Sequence, residues 1–221
     1  MVEFTEFDKI SRLNREVMVT EKIDGTNGQV HIRLAEGSEL EMGYDTQIEV
    51  DGLPCYIRAG SRNRWVLHLG SDDNNGFGRW VHAHAHELAA LGTGAHFGEW
   101  WGSGIQRKYG LSDKRWSLFN VGRWVRDDQG DGTREPCGEK QAYAPKCCHV
   151  VPMIGVGVGF DIVYQSIERL KTEGSRAAPG FMKPEGIVAF HTHARTLFKM
   201  TIEKDTEHKW ERSQSDRGVK Q

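Results

Sequence analysis

The chain has 221 residues, a formal charge of −2 at neutral pH, and 38% hydrophobic and 27% charged residues, the composition of a globular protein with a substantial core. No apolar run is long enough to cross a bilayer, and Met1-Val2-Glu3-Phe4-Thr5 lacks the basic and apolar regions of a signal peptide, so a cytoplasmic protein without a membrane partner is expected. The charge excludes a uniformly basic coat for nucleic acid but leaves room for a local one, for which Arg58, Arg62, Arg64, Arg79, Arg107 and Lys108 are candidates.

Glu3 to Asn14 carries Phe4, Phe7, Ile10 and Leu13 at three-residue spacing, which predicts a short amphipathic helix. Val17 to Ile23 reads as a strand, and Gly28 to Leu34 as its return, with Val30, Ile32 and Leu34 alternating against His31 and Arg33. Between them lies Glu21-Lys22-Ile23-Asp24-Gly25-Thr26-Asn27. Two readings of Lys22 stand side by side. In one it is a solvated strand residue beside an Asp-Gly hairpin turn. In the other it is desolvated at a strand end, loses its proton and becomes a nucleophile toward phosphorus or carbonyl.

Thr46 to Val50 and Pro54 to Arg58 read as further strands, the second running into Ser61-Arg62-Asn63-Arg64. Phe77 to about Leu91 predicts a helix on which His82 and His86 share a face and His84 does not, which argues against a three-histidine metal site. Phe97-Gly98-Glu99 followed by Gly102 and Gly104-Ile105-Gln106 forms a glycine-flanked strand with a carboxylate, and Trp116 to Val121 an aromatic one. Arg126 to Lys146 reads as an exposed polar excursion between strands. Cys137, Cys147, Cys148 and His149 lack the paired spacing of a zinc site, so ordinary thiols are expected. Asp161 to Glu173 predicts a helix capped by Asp161, with Ile162, Val163, Ile167 and Leu170 on one face. Pro184-Glu185-Gly186-Ile187-Val188 and Leu197-Phe198-Lys199-Met200-Thr201 close the pattern as strands.

These segments, in this order from roughly Val17 to Thr201, resemble the motifs of the covalent nucleotidyltransferases, the superfamily of DNA ligases, RNA ligases and capping guanylyltransferases. The Phe97-Gly98-Glu99 and Gly104-Ile105-Gln106 context is similar to ATP-dependent RNA ligases of the phage nick-sealing and RNA-editing branch. The resemblance implies an α+β nucleotidyltransferase domain, with twisted antiparallel sheets and flanking helices around a nucleotide cleft. It would fill residues 1–221 as a single domain, with no appended C-terminal OB or helical domain.

By that resemblance Lys22 takes AMP from ATP, Lys199 assists at the α-phosphate, and Glu185 holds magnesium or manganese. Glu21, Ile23 and Asn27 line the nucleotide with Lys22, Arg62 contacts phosphate, Glu99 the ribose, and Phe119 stacks on the purine. Family members usually carry two lysines one residue apart in the last motif; here Thr201 follows Lys199, and Lys204 is a candidate for the second charge. The implied activity is sealing of RNA 5′-phosphate and 3′-hydroxyl ends through lysyl-AMP. The alternatives are a DNA ligase, a noncatalytic nucleic-acid-end binder, or a catalytic subunit that needs an accessory subunit.

Overall fold

A computed structural model describes residues 3–7, 9–70, 73–126 and 140–205. In chain order the elements are β1 (Glu16–Lys22), β2 (Thr26–Leu34), β3 (Asp45–Val50), β4 (Leu53–Gly60), β5 (Trp65–Val66), α1 (Phe77–Ala83), α2 (Ala85–Leu88), β6 (Gly94–Gly102), β7 (Lys114–Leu118), β8 (Trp124–Val125), β9 (Ala142–Tyr143), β10 (His149–Val150), β11 (Met153–Val158), α3 (Asp161–Glu173), β12 (Gly186–His191), β13 (Thr196–Thr201) and α4 (Ile202–Asp205). Mixed sheets with a few helices make this an α+β chain. Among the described residues no helix is long and apolar enough to cross a membrane.

The contacts divide the chain into two compact units, and the division falls between Lys22 and Ile23. The first contains Met1–Lys22, Met153–Gly174 and Met182–Gln221. Its sheet has the order β11-β1-β12-β13, antiparallel throughout. Alternation along β1 sends Val17 and Val19 to one face, where Ile187 and Ala189 of β12 and Ile154 of β11 join them. α3 covers that face with Val163, Ile167 and Leu170 at helical spacing. Each such fully buried aliphatic side chain contributes about 1.5–3 kcal/mol, and Leu170→Ala would cost roughly 2–5 kcal/mol.

Two expectations in this unit change. α3 has its expected span, but Phe160 occupies the cap and makes no side-chain bond there; Asp161 is instead the first helical residue, its charge favourable beside the amino-terminal dipole. The helix expected over Glu3 to Asn14 does not form among its described residues, and Phe4, Phe7, Ile10 and Leu13 are all exposed. So short a helix needs a surface to bury its apolar stripe, and without one nucleation outweighs propagation.

The second unit contains Ile23–Pro152 and Ser175–Phe181. Its sheet runs β10-β7-β6-β2-β4-β3, with β5 added on β4; only β10 is parallel to its neighbour. One face buries Val30, Trp100, Trp116 and Leu118 against Phe77, whose ring centroid lies 5.5 Å from Trp100 and 5.8 Å from Trp116. The helix expected from Phe77 to Leu91 breaks at His84, at φ −105° and ψ 15°, into α1, α2 and a 3₁₀ turn at Ala89–Leu91. The Trp116 strand stops at Leu118 instead of Val121. Of the polar excursion, residues 127–139 lie outside the described set, and Ala142–Tyr143 forms a strand parallel to Trp124–Val125.

Candidate active site

In the first unit, Lys22 is the last residue of β1 and stands opposite Gly186, which in turn faces Thr201. The next row of the same face joins Thr20, Val188 and Lys199. The period of two therefore puts Lys22 and Lys199 on one face, across β12, and Glu21 on the α3 face with Ile187. Glu21 is buried while Lys199 is exposed, so the sequence-predicted set is split across the sheet. An apolar groove of about 280 Å³ also lies at the α3 side, between Phe160, Val163 and Tyr164 and the β12–β13 residues Ala189, Phe198 and Met200.

Lys22 Nζ donates to Glu185 Oε2 at 2.6 Å, with both side chains about a fifth exposed, at 24% and 17%. Glu185 reaches Lys22 from the residue just ahead of β12. The next residue must be glycine, since a Cβ on Gly186 would lie 2.1 Å from the Met200 carbonyl oxygen. Ile202 N–H closes the other side by donating to the Glu185 carbonyl at 2.9 Å. Lys204 is exposed on α4.

In the second unit, Asn27, Glu99 and Ser117 form one row across β2, β6 and β7, and Gln29 with Phe97 forms the next. This is the face opposite the helices. Phe119, just past β7, donates its N–H to the Phe97 carbonyl at 3.0 Å, which continues the same alternation. Phe97 and Phe119 are both exposed aromatics there, at 49% and 40%. The structure thus groups Asn27, Glu99 and Phe119 and adds Phe97, which the sequence pattern left unassigned. Arg62 is exposed in the Ser61–Arg64 turn that follows β4, whereas Ile23 is buried.

The turn after Lys22 is closely held. Glu99 Oε1 accepts the Gly25 N–H at 3.1 Å, Tyr109 Oη accepts the Asp24 N–H at 2.8 Å, and Arg107 Nε donates to Asp24 Oδ2 at 3.0 Å. Gly25 fits because any Cβ there would meet the Trp100 carbonyl oxygen at 2.5 Å. Tyr109 escaped the sequence reading: its partner is 85 residues away, and no local pattern marks it.

No group of three or more His, Cys, Asp or Glu able to hold a metal occurs among the described residues, and Cys137 lies outside them. His82 stacks on His68 at 4.3 Å and bonds Thr46, while His84 bonds the Trp80 carbonyl. Cys147 and Cys148 are free thiols with sulfurs 3.8 Å apart. Their hydrogen bond draws the Cys147 thiol down against burial, and the same contact with burial pushes Cys148 up.

The sequence profile described as RNA ligase matches residues 15–201. The chain belongs to the RNA ligase family. That match takes in Lys22, Asn27, Arg62, Glu99, Phe119, Glu185 and Lys199 but not Lys204. No curated protein matches this RNA ligase family member significantly. Among solved structures it is similar to a Naegleria gruberi RNA ligase mutant with ATP and manganese, at 15% identity and TM-score 0.48, covering 86% of this chain and 50% of that one. Another Naegleria gruberi RNA ligase mutant with ATP and manganese matches at 16% identity and TM-score 0.47, over 93% and 53% of the two chains. The same ligase with pyrophosphate matches at 16% and 0.46, over 92% and 53%. This chain spans about half the length of the solved ligases it matches.

Proposed function

We propose that this RNA ligase family chain is an ATP-dependent RNA ligase acting through a lysyl-AMP intermediate, with a nucleotidyltransferase domain as its catalytic part. The observation that carries the reading is the 2.6 Å pair of Lys22 Nζ and Glu185 Oε2, set at the end of β1 within the matched family region. A lysine ammonium has no lone pair to offer and pairs favourably with a carboxylate, so attack requires its proton to leave, with Glu185 Oε2 the nearest acceptor. Once the amine is neutral, its nitrogen attacks the α-phosphorus of ATP. The N–P bond forms as the bond to the bridging oxygen breaks, and pyrophosphate leaves with that electron pair.

AMP then passes to a 5′-phosphate on RNA, and a 3′-hydroxyl displaces it to join the strands. Lys199, exposed on the same face as Lys22, supplies positive charge toward the phosphates. Glu99 and Asn27 serve the ribose and phosphates, Phe119 offers its exposed ring to the base, and Arg62 suits phosphate through its planar donors. Glu21 and Ile23 contribute through backbone, since both side chains are buried.

A magnesium or manganese ion at Glu185 would neutralise charge on phosphate oxygens. Glu185 would supply one carboxylate to it, with substrate phosphates and water completing the coordination, as is common for magnesium.

The test incubates the protein with α-labelled ATP or GTP and magnesium, beside Lys22→Ala. Label from ATP that survives denaturation and needs Lys22 is expected. No label from either nucleotide, with manganese also tried, overturns the ligase reading in favour of end binding or a required accessory subunit. Nicked duplexes differing only in a ribose or deoxyribose 3′ end then separate RNA from DNA sealing.

A further inference from the structure

Asp24 is two residues beyond Lys22, and Arg107 and Tyr109, which both bond to it, come from one loop. In that loop Gln106, Lys108 and Tyr109 adopt φ of 42°, 59° and 50°. Left-handed backbone is disfavoured for residues with a Cβ and persists where the surroundings over-determine it, commonly at functional sites. Here the surroundings are visible. The Tyr109 ring is 2% exposed, stands edge-on to Trp101 at 5.0 Å and packs on Phe181 at 4.7 Å. The unfavourable backbone delivers a hydroxyl and a guanidinium to a single residue of the turn that follows the nucleophile.

We propose that Tyr109 is a positioning residue for the Lys22 chemistry: by accepting the Asp24 N–H it holds the backbone leaving Lys22 in the conformation that adenylylation needs. The proposal rests on the ligase reading above. A tyrosine serving packing alone would need its ring and not its hydroxyl. Phenylalanine keeps the ring, so the two roles separate.

The experiment measures single-turnover formation of lysyl-AMP against ATP concentration for the wild type, Tyr109→Phe and Phe181→Leu. Phe181→Leu loosens the same ring's packing but leaves the hydroxyl. Tyr109→Phe is expected to lower the maximal rate on the order of ten- to a hundredfold, because small misplacements cost that much. Its half-saturating ATP should stay within about twofold, the pattern of an interaction lost at the chemical step. Phe181→Leu should melt at lower temperature yet keep the maximal rate within about twofold. A Tyr109→Phe rate close to wild type overturns the proposal, as does equal slowing by Tyr109→Phe and Phe181→Leu. Label in the wild type with either result leaves the ligase reading standing; no label in the wild type overturns both.

Discussion

Asn27 and Glu99 stand directly opposite each other on the β2–β6 ladder, and the Glu99 carboxylate also accepts the Gly25 N–H. One carboxylate therefore serves two purposes, as an acceptor for the turn and as a charge on the open face of the sheet. The two are separable. Glu99→Gln keeps an acceptor oxygen for Gly25, so its melting temperature should match the wild type. Glu99→Ala should lose roughly 1 kcal/mol of stability with that bond. Both should raise the ATP concentration needed for half-maximal lysyl-AMP formation, read by label incorporation. An unchanged value in both would remove Glu99 from the nucleotide.

Glu185→Ala leaves Lys22 without its 2.6 Å acceptor. Lysyl-AMP formation should fall on the order of a hundredfold or more, as for loss of a general base. Unfolding free energy should change by only about 1 kcal/mol, since the pair is partly exposed to solvent. Quench-flow labelling with thermal melts would read both quantities; equal loss in each would point to misfolding instead.

Gly186→Ala should be damaging for a different reason. The added Cβ would meet the Met200 carbonyl oxygen at 2.1 Å, so β12 and β13 must part at the row containing Lys22. A destabilisation of about 3 kcal/mol is expected from such overpacking, measured by urea unfolding. Val188→Ala, two residues along the same strand and half-buried, should be much milder.

Acid should weaken the second unit through Asp45. Burial alone would raise this carboxyl, but hydrogen bonds from Arg33 at 2.9 and 2.6 Å and from Arg58 at 2.8 and 2.9 Å outweigh it and hold it well below the usual carboxylate range. The unfolded chain then takes up the proton first as pH falls. The stabilisation is present in full above about pH 4 and drains away below it. Asp45→Asn should flatten that part of the stability profile and cost roughly 3–5 kcal/mol at pH 7, because two arginines lose a buried counter-charge. Urea titrations of both proteins between pH 3 and 7 would test this.

The strands that carry the site were legible because their signals are local. Val17, Val19, Val30 and Ile32 alternate as buried residues, and Val163, Ile167 and Leu170 repeat at helical spacing. Lys22 and Glu185 also stand out locally, each in a segment of a few residues, and the structure pairs them at 2.6 Å. What escaped depends on distant partners. Phe4 and Phe7 have helical spacing but meet no surface, and His84 interrupts a pattern that composition alone would continue. The face shared by Asn27, Phe97 and Phe119 exists only through the register of three strands. Left-handed backbone at Tyr109 leaves no trace in residue type.

β1 is flanked on both sides, by β11 at residues 153–158 and by β12 at residues 186–191. The strand bearing Lys22 thus leaves the ribosome ahead of its hydrogen-bonding partners, which are made more than 130 residues later. During synthesis, its Val17 and Val19 must wait for residues that do not yet exist. Acquisition of the Lys22–Glu185 pair is therefore a late event in biogenesis, so a chain interrupted before residue 185 carries Lys22 without its carboxylate partner.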